Sequence, residues 1–284
     1  MRLFLRVSHL NRFLENIINM SGSQLKLFLA QMNIRWEDKS ANRLTCARLV
    51  EQAVSEKADV IIFPELTLTG FSVHNKSLAE QAGKSETVNF FCQLAKQNKI
   101  AIIFGMIFSA GSKQKNMALA VNAKGKIMAE YQKIHTFSLA KENKNFNSGN
   151  KAGIFTLNGF KIALAICYDL RFPGLFEAIS TKYKPDVFIV IANWPSVRVA
   201  HWRTLLAARS LDTQSYVVGV NRVGSGGGLQ YSGFSSVHSP WGEKIIELKG
   251  ASGGVVTIDK KNIKKIRATF SSLLDKKPAI YSHL

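Results

Sequence analysis

Short runs of apolar residues alternate with segments of helical spacing along most of this chain. Strand-like runs of this kind occupy 58–63, 100–108, 160–166, 187–192 and 216–221. Their near-continuous apolar character is typical of strands buried on both faces. Segments 39–57 and 202–212 carry apolar residues every three or four positions, as amphipathic helices do. The alternation predicts an α/β fold in which helices cover the faces of sheets.

Two of the predicted strands resemble each other. Residues 58–64 and 184–191 each enter a strand through Asp-Val, and each is followed by polar residues, Glu65 in one case and Asn193 in the other. Two similar halves would give two sheets packed face to face with helices outside. No low-complexity linker separates the halves, so we expect a single domain over 23–284 with a polar tail from about 271. Residues 224–228 are rich in glycine and predict a flexible loop.

The first 22 residues are basic and amphipathic, and no cleavage site for a secretory signal follows them. We interpret them as an extension, either a targeting helix or a stretch upstream of a natural start at Met20. No apolar stretch approaches the roughly 20 residues of a membrane span. The three cysteines are an odd number without framework spacing, which favours a reducing compartment and a cytoplasmic location.

The chain is strongly basic, with 38 Lys and Arg against 19 Asp and Glu and a net charge of +19. Such a charge is compatible with nucleic-acid binding. The lysines are scattered, however, and no dense basic run or aromatic binding motif accompanies them. A basic surface that attracts a small anionic substrate is therefore the preferred interpretation. The six histidines show no paired-ligand spacing, so no metal or cofactor is predicted.

Cys167 ends the apolar run 160–166 and precedes Pro173 and a segment of helical spacing. A thiol at a strand-to-helix turn is held on rigid backbone near unpaired amides of the helix. These amides and the helix dipole are expected to favour the thiolate and to bind a developing oxyanion. By itself a cysteine is more often a buried core residue, so its interpretation depends on the rest of the chain.

Three other segments place reactive side chains near strand ends. Glu65 follows the buried run 58–63, where a carboxylate beside apolar walls suits acid–base chemistry. Lys133 follows a predicted hairpin strand, and its ammonium is suited to stabilise a thiolate or an oxyanion. Glu142 lies in a polar segment from which it could orient Lys133 or water. His135 could form a Cys/His dyad with Cys167. It lies two residues after Lys133, however, with the spacing of a strand, and this favours a supporting role.

The four segments together resemble the carbon–nitrogen hydrolase (nitrilase) superfamily. They read Phe-Pro-Glu-Leu at Glu65, Tyr-Gln-Lys-Ile-His at Lys133, Glu-x-x-x-Phe-x-x-Gly at Glu142 and Cys-Tyr-Asp-Leu-Arg-Phe-Pro at Cys167. The resemblance implies a Glu–Lys–Cys triad with a second glutamate, on a four-layer α-β-β-α sandwich. It also implies a homodimer or a higher homo-oligomer.

Within that superfamily the segments around Cys167, Asn193, His201 and Asn221 are most similar to the omega-amidase branch. The branch implies hydrolysis of the terminal amide of 2-oxoglutaramate or 2-oxosuccinamate through a cysteine thioester. The residues expected to contact substrate are Tyr168, through its backbone N–H, together with Arg171, Asn193, Trp194 and Arg198. The arginines suit a substrate carboxylate, although Arg171 could instead pair with Asp169.

Other interpretations stay open. The same triad serves nitrilases, carbamoylases and other amidases with different small substrates. A protein of another class, a non-catalytic basic binding protein on the same fold, is also compatible with the charge.

Overall fold

The structure is a computed structural model that describes residues 24–270, 272–277, 280 and 283. The predicted extension at 1–22 lies outside the described residues, as does part of the predicted tail. No helix in the described ranges is both long and apolar enough to cross a membrane.

Fourteen strands and six α-helices run through the described residues. The strands are β1 Gln24–Gln31, β2 Val60–Ile62, β3 Ala101–Ala110, β4 Lys113–Val121, β5 Ile127–Gln132, β6 Gly153–Leu157, β7 Phe160–Ile166, β8 Val187–Ala192, β9 Tyr216–Asn221, β10 Val223–Gly226, β11 Leu229–Ser232, β12 Ser236–His238, β13 Lys244–Glu247 and β14 Ser252–Asp259. The helices are α1 Lys39–Ser55, α2 Glu86–Asn98, α3 Glu142–Asn145, α4 Pro173–Tyr183, α5 Val199–Thr213 and α6 Lys260–Thr269.

Twelve of these strands form two mixed six-stranded sheets. The first sheet has the order β14-β1-β2-β3-β4-β5 and the second has the order β13-β12-β9-β8-β7-β6. Strands β1, β2 and β3 are parallel to one another, and so are β7, β8 and β9. The similar segments noted in the sequence are thus the central parallel strands, β2 and β8, of the two sheets.

Three apolar clusters define the layers. The central cluster joins the facing surfaces of the two sheets and includes Leu27 and Ile62 from one sheet and Ile189 from the other. A second cluster covers the outer face of the first sheet with α1 and α2. A third covers the outer face of the second sheet with α4 and α5. The predicted four-layer α-β-β-α sandwich is therefore confirmed.

Local sequence explains most of the connections. The Asn158-Gly159 pair turns β6 into β7 with positive φ angles of 46° and 79°, the conformation that this dipeptide favours in a tight hairpin. Pro173 stands in the first turn of α4, where its missing N–H is not needed. The prediction of a flexible loop at 224–228 was wrong. Strands β10 and β11 pair there, and Gly227 and Gly228, both with positive φ, form the turn between them.

Candidate active site

The carboxyl ends of β2 and β8 meet at one edge of the sandwich. The backbone N–H of Asn193, just after β8, donates a hydrogen bond to Glu65 Oε2 at 2.9 Å. The side-chain amide of Asn193 also donates to the backbone carbonyl of Glu65. Polar residues that follow equivalent strands of the two sheets are thus bound directly to each other, and they define the centre of the site.

Glu65 is completely buried. The chain turns sharply after it, since Leu66 has a φ of 47°. This turn passes so close to β3 that a Cβ on Gly105 would lie 2.4 Å from the Leu66 nitrogen and 2.9 Å from the Glu65 Cα. Gly105 is therefore required for the position of the Glu65 backbone.

Lys133 follows β5 and is 1% exposed. Its Nζ lies 2.9 Å from Glu65 Oε1, and 3.1 and 2.9 Å from the two carboxylate oxygens of Glu142. Burial alone lowers the pKa of Lys133, but the charges of Glu142 and Glu65 outweigh it and raise the pKa well above its ordinary value. The ammonium is therefore a permanent buried cation at neutral pH.

Glu142 is also completely buried. It begins the short helix α3, and its Oε2 accepts a 2.6 Å hydrogen bond from the backbone N–H of Phe137. Both of its carboxylate oxygens contact Lys133. These contacts make Glu142 an anchor for the ammonium.

Asn116, on β4, joins the two carboxylates and was missed from the sequence. Its Nδ2 lies 2.8 Å from Glu65 Oε1 and 3.0 Å from Glu142 Oε1. Its backbone carbonyl accepts the N–H of Lys133. The only sequence signal was a polar residue directly before the apolar run 117–121.

Cys167 is the first residue of a 3₁₀ turn, Cys167–Arg171, that connects β7 to α4. Its φ of 47° lies in the left-handed region, which costs a non-glycine residue about 1–2 kcal/mol. The thiol sulfur lies 4.0 Å from the backbone carbonyl oxygen of Asn193. A strained turn at the end of a rigid strand thus holds the sulfur beside the Glu65 and Asn193 segments.

The electrostatics of the thiol differ from the expectation of a stabilised thiolate. Burial and the charge of Glu65 raise the pKa of Cys167 well above its ordinary value, Lys133 partly offsets this, and Glu142 raises it further. The resting thiol therefore keeps its proton at neutral pH. An attack by this sulfur on a substrate would first require removal of that proton.

Asp169 fixes the turn that carries Cys167. Its Oδ2 accepts hydrogen bonds from the Ile166 backbone N–H at 3.0 Å and from the Tyr131 hydroxyl at 2.8 Å. Its Oδ1 accepts the backbone N–H of His135 and contacts the Nδ1 of that ring at 2.8 Å. Asp169 therefore ties the strand that precedes Cys167 to the segment that follows Lys133, and His135 is its partner.

A cavity of about 570 Å³ opens onto this centre. Lys133, Cys167, Asn193 and Trp194 line it, together with Arg171 and Arg198. Neither arginine forms a salt bridge with any acidic residue among those described. The cavity therefore combines a thiol with two guanidinium groups whose charge no carboxylate pairs in the described part of the chain.

The two arginines are held by aromatic rings instead of carboxylates. The Arg171 guanidinium lies 4.8 Å from the centre of the Trp194 ring and donates to His201 Nδ1 at 3.1 Å. The Arg198 guanidinium lies 5.4 Å from the centre of the Phe137 ring. The alternative pairing of Arg171 with Asp169 is not formed, because Asp169 is occupied within the Cys167 turn.

The remaining predicted substrate contacts are placed as follows. Trp194 is buried, and its indole N–H donates to the Arg198 carbonyl at 2.7 Å. The Tyr168 side chain packs against Phe137 and Phe172, and its backbone N–H lies in the first turn after Cys167. Helical amides in that position have no partner within their own helix. Contacts from these residues and from Asn193 to a substrate stay predictions.

Tyr231, on β11, also lines the cavity and was missed from the sequence. Burial raises its pKa to about 12, although Arg222 acts in the opposite direction. It therefore presents a neutral hydroxyl at neutral pH. It was missed because the hairpin of β10 and β11 was read as a loop.

The sequence model of the carbon-nitrogen hydrolase family matches residues 26–268. The chain belongs to this family. The 2-oxoglutaramate amidase of Bacillus subtilis (strain 168) is 31% identical over 255 residues, which cover 88% of this chain and 97% of that protein. The omega-amidase YafV of Escherichia coli (strain K12) is 35% identical over 222 residues, which cover 78% of this chain and 84% of that protein. The predicted superfamily is thus confirmed.

Solved structures agree with this assignment. A CN-hydrolase superfamily protein from Xanthomonas campestris, solved with an arsenic adduct in its active site, has a TM-score of 0.84 at 29% identity. That alignment covers 89% of this chain and 97% of the other. A carbon-nitrogen hydrolase from Helicobacter pylori has a TM-score of 0.86 at 19% identity, over 93% of this chain and 98% of that one, and shows the shared fold.

Proposed function

We propose that this protein hydrolyses the terminal amide of a short 2-oxo dicarboxylic acid monoamide, such as 2-oxoglutaramate or 2-oxosuccinamate, through a thioester on Cys167. One observation carries the proposal. A single cavity contains the thiol, the buried cation of Lys133, and two guanidinium groups that form no salt bridge with any described residue. Such a cavity suits a substrate with an amide at one end and an anion at the other. The names of the relatives at 31–35% identity support the same substrate class.

In the first half of the reaction, Glu65 takes the proton of the Cys167 thiol as the sulfur attacks the amide carbon. The carbonyl oxygen becomes an oxyanion, and Lys133 and the backbone N–H of Tyr168 donate hydrogen bonds to it. Glu65 then gives the proton to the amide nitrogen, the C–N bond breaks, and ammonia leaves. The acyl group remains on sulfur as a thioester.

In the second half, water attacks the thioester carbon while Glu65 takes a proton from it. The second tetrahedral intermediate collapses with cleavage of the C–S bond. The carboxylic acid is released, and the proton returns from Glu65 to the sulfur. Because one carboxylate serves both halves, the thiol can remain protonated at rest, in agreement with its raised pKa.

The test is ammonia release from a panel of small substrates. We expect turnover of 2-oxoglutaramate to exceed that of glutamine, of an aliphatic nitrile and of an N-carbamoyl amino acid. Cys167→Ala should abolish it, whereas Cys92→Ala is the matched control, since Cys92 lies on α2 and does not line the cavity. A preference for the nitrile or the carbamoyl compound would replace the omega-amidase proposal with one of the alternatives.

A further inference from the structure

Asn116 lies at the junction of the charged groups in the site. Its Nδ2 is within 3.0 Å of one oxygen of Glu65 and one oxygen of Glu142. The residue is 1% exposed. No other amide side chain in the described ranges contacts both carboxylates.

The orientation of this amide is determined by its neighbours. Both are carboxylate oxygens, which accept hydrogen bonds, so only the NH₂ group of Asn116 can face them. The opposite atom, Oδ1, is buried and has no hydrogen-bond partner among the described residues. A buried acceptor without a partner is unfavourable. The site therefore retains the unpaired Oδ1 of Asn116, which is unfavourable, while the two N–H bonds of Nδ2 donate to the carboxylates of Glu65 and Glu142.

The contacts of Glu65 distinguish its two oxygens. Oε1 accepts hydrogen bonds from both Lys133 Nζ and Asn116 Nδ2. Oε2 accepts one, from the backbone N–H of Asn193. A carboxylate oxygen has about two acceptor positions, so Oε1 is saturated and Oε2 retains one free position.

We propose that Asn116 is a positioning residue that, with Lys133, saturates Glu65 Oε1 and leaves Oε2 as the oxygen that carries the proton between Cys167, ammonia and water. The assignment rests on the proposed function of Glu65 as the base. The N–H of Asn193 fixes Oε2 on the same segment whose carbonyl oxygen lies 4.0 Å from the Cys167 sulfur. The oxygen with the free position is thus the one bound to the backbone beside the thiol.

Asn116 also affects the pH at which Glu65 can act. The charged and titratable groups around Glu65 come from several elements: Lys133 after β5, Glu142 on α3, Cys167 after β7 and Tyr231 on β11. Of these, Lys133 is the cation, and it is shared with Glu142. The Asn116 amide donates to the ionised form of Glu65, so its loss favours the protonated form.

The test variant is Asn116→Leu, which keeps the volume and removes the donor. Its matched control is Gln114→Leu, because Gln114 is buried on the same face of β4 and its side-chain amide has no partner among the described residues. We expect the acid limb of the kcat/KM profile to move upward by about one pH unit in Asn116→Leu, the size expected for loss of one hydrogen bond to a charged group. KM at the pH optimum should stay within about twofold of wild type, and Gln114→Leu should keep the wild-type profile.

A second measurement does not require the substrate. Cys167 is a free cysteine that lines the cavity, so we expect iodoacetamide to alkylate it, at a rate that mass spectrometry of the Cys167 peptide measures. Because the thiol keeps its proton at rest, this rate should show the same acid limb in wild type and the same upward shift in Asn116→Leu. If wild type releases no ammonia from any amide but the alkylation limb still shifts, the proposed substrate fails and the role of Asn116 stands. An unshifted limb in both assays, or equal shifts in the two variants, would overturn the role of Asn116.

Discussion

Lys133→Met gives the sharpest test of the charged cluster, because it removes the ammonium while keeping a side chain of similar length. Lys133 is 1% exposed and contacts two carboxylates that are 0% exposed. Removing one partner of a buried ion pair typically costs 3–5 kcal/mol, since it leaves uncompensated charge. We expect a loss of about that size in the free energy of unfolding at pH 7.5, which lowers the melting temperature by the order of 10 °C.

The same substitution should reduce turnover. Loss of one donor to an oxyanion costs about 10²–10³-fold in kcat, so we expect at least this loss, measured by ammonia release well below the melting temperature. Cys167→Ala is the comparison protein: it leaves both ion pairs in place and should be inactive yet nearly as stable as wild type. Lys133→Met should therefore lose both stability and turnover, whereas Cys167→Ala should lose turnover alone.

The pH dependence adds a further check. Without the ammonium, a buried carboxylate of the variant takes up a proton more readily than it does in the unfolded chain. The folded state then binds more protons than the unfolded state, so stability falls as pH rises. Urea unfolding should therefore show a smaller difference between variant and wild type at pH 5 than at pH 7.5. An equal difference at both pH values, or kcat within tenfold of wild type, would refute the reasoning.

Three further predictions concern other parts of the molecule. Burial acts to raise the pKa of Glu80, but hydrogen bonds from Lys39, Ser85 and Thr87 outweigh it and lower the pKa to about 2. Because the folded-state pKa is depressed, the stabilisation from the Glu80 carboxylate is present above about pH 4.5 and lost toward pH 2. The difference in urea midpoint between wild type and Glu80→Gln should accordingly shrink from pH 6 to pH 3, and a constant difference would contradict the assignment. Asp169→Asn should lower kcat by about tenfold or more with little change in KM, because the turn at Cys167 loses its anionic acceptor. An unchanged kcat would show that the turn keeps its conformation without the Asp169 carboxylate. Arg198→Leu and Arg171→Leu should raise KM for the anionic amide by about tenfold but leave a neutral amide such as propionamide unaffected, and an equal effect on both substrates would exclude carboxylate binding.

The fold was largely predictable because its signals are local. Buried strands such as β8 appear as continuous apolar runs, and the Asn158-Gly159 turn follows from the conformations that these two residues favour. At the glycines of 224–228 the local signal led to a wrong prediction. Their lack of side chains was read as flexibility, whereas β10 and β11 pair across a two-glycine turn.

Most of the residues that lie together around Cys167 could be located from the sequence, but the hydrogen bonds that join them could not, and their catalytic roles stay predictions. The residues of the predicted triad lie in distinctive segments, whereas Asn116 is a single polar residue whose partner Glu65 is 51 positions away. The protonation state of the Cys167 thiol could not be predicted from the sequence either. A helix terminus favours thiolate in isolation, but burial beside two carboxylates has the larger effect in the folded protein. The predicted homodimer and cytoplasmic location stay predictions.

The central claim is that the acyl group of the substrate becomes bonded to the Cys167 sulfur. Acid quenching during turnover of 2-oxoglutaramate, followed by mass spectrometry of the peptides, tests it directly. We predict an adduct on the Cys167 peptide with the mass of the substrate minus ammonia, and none on the Cys46 or Cys92 peptides. Turnover without such an adduct, together with ammonia release by Cys167→Ala, would contradict the account.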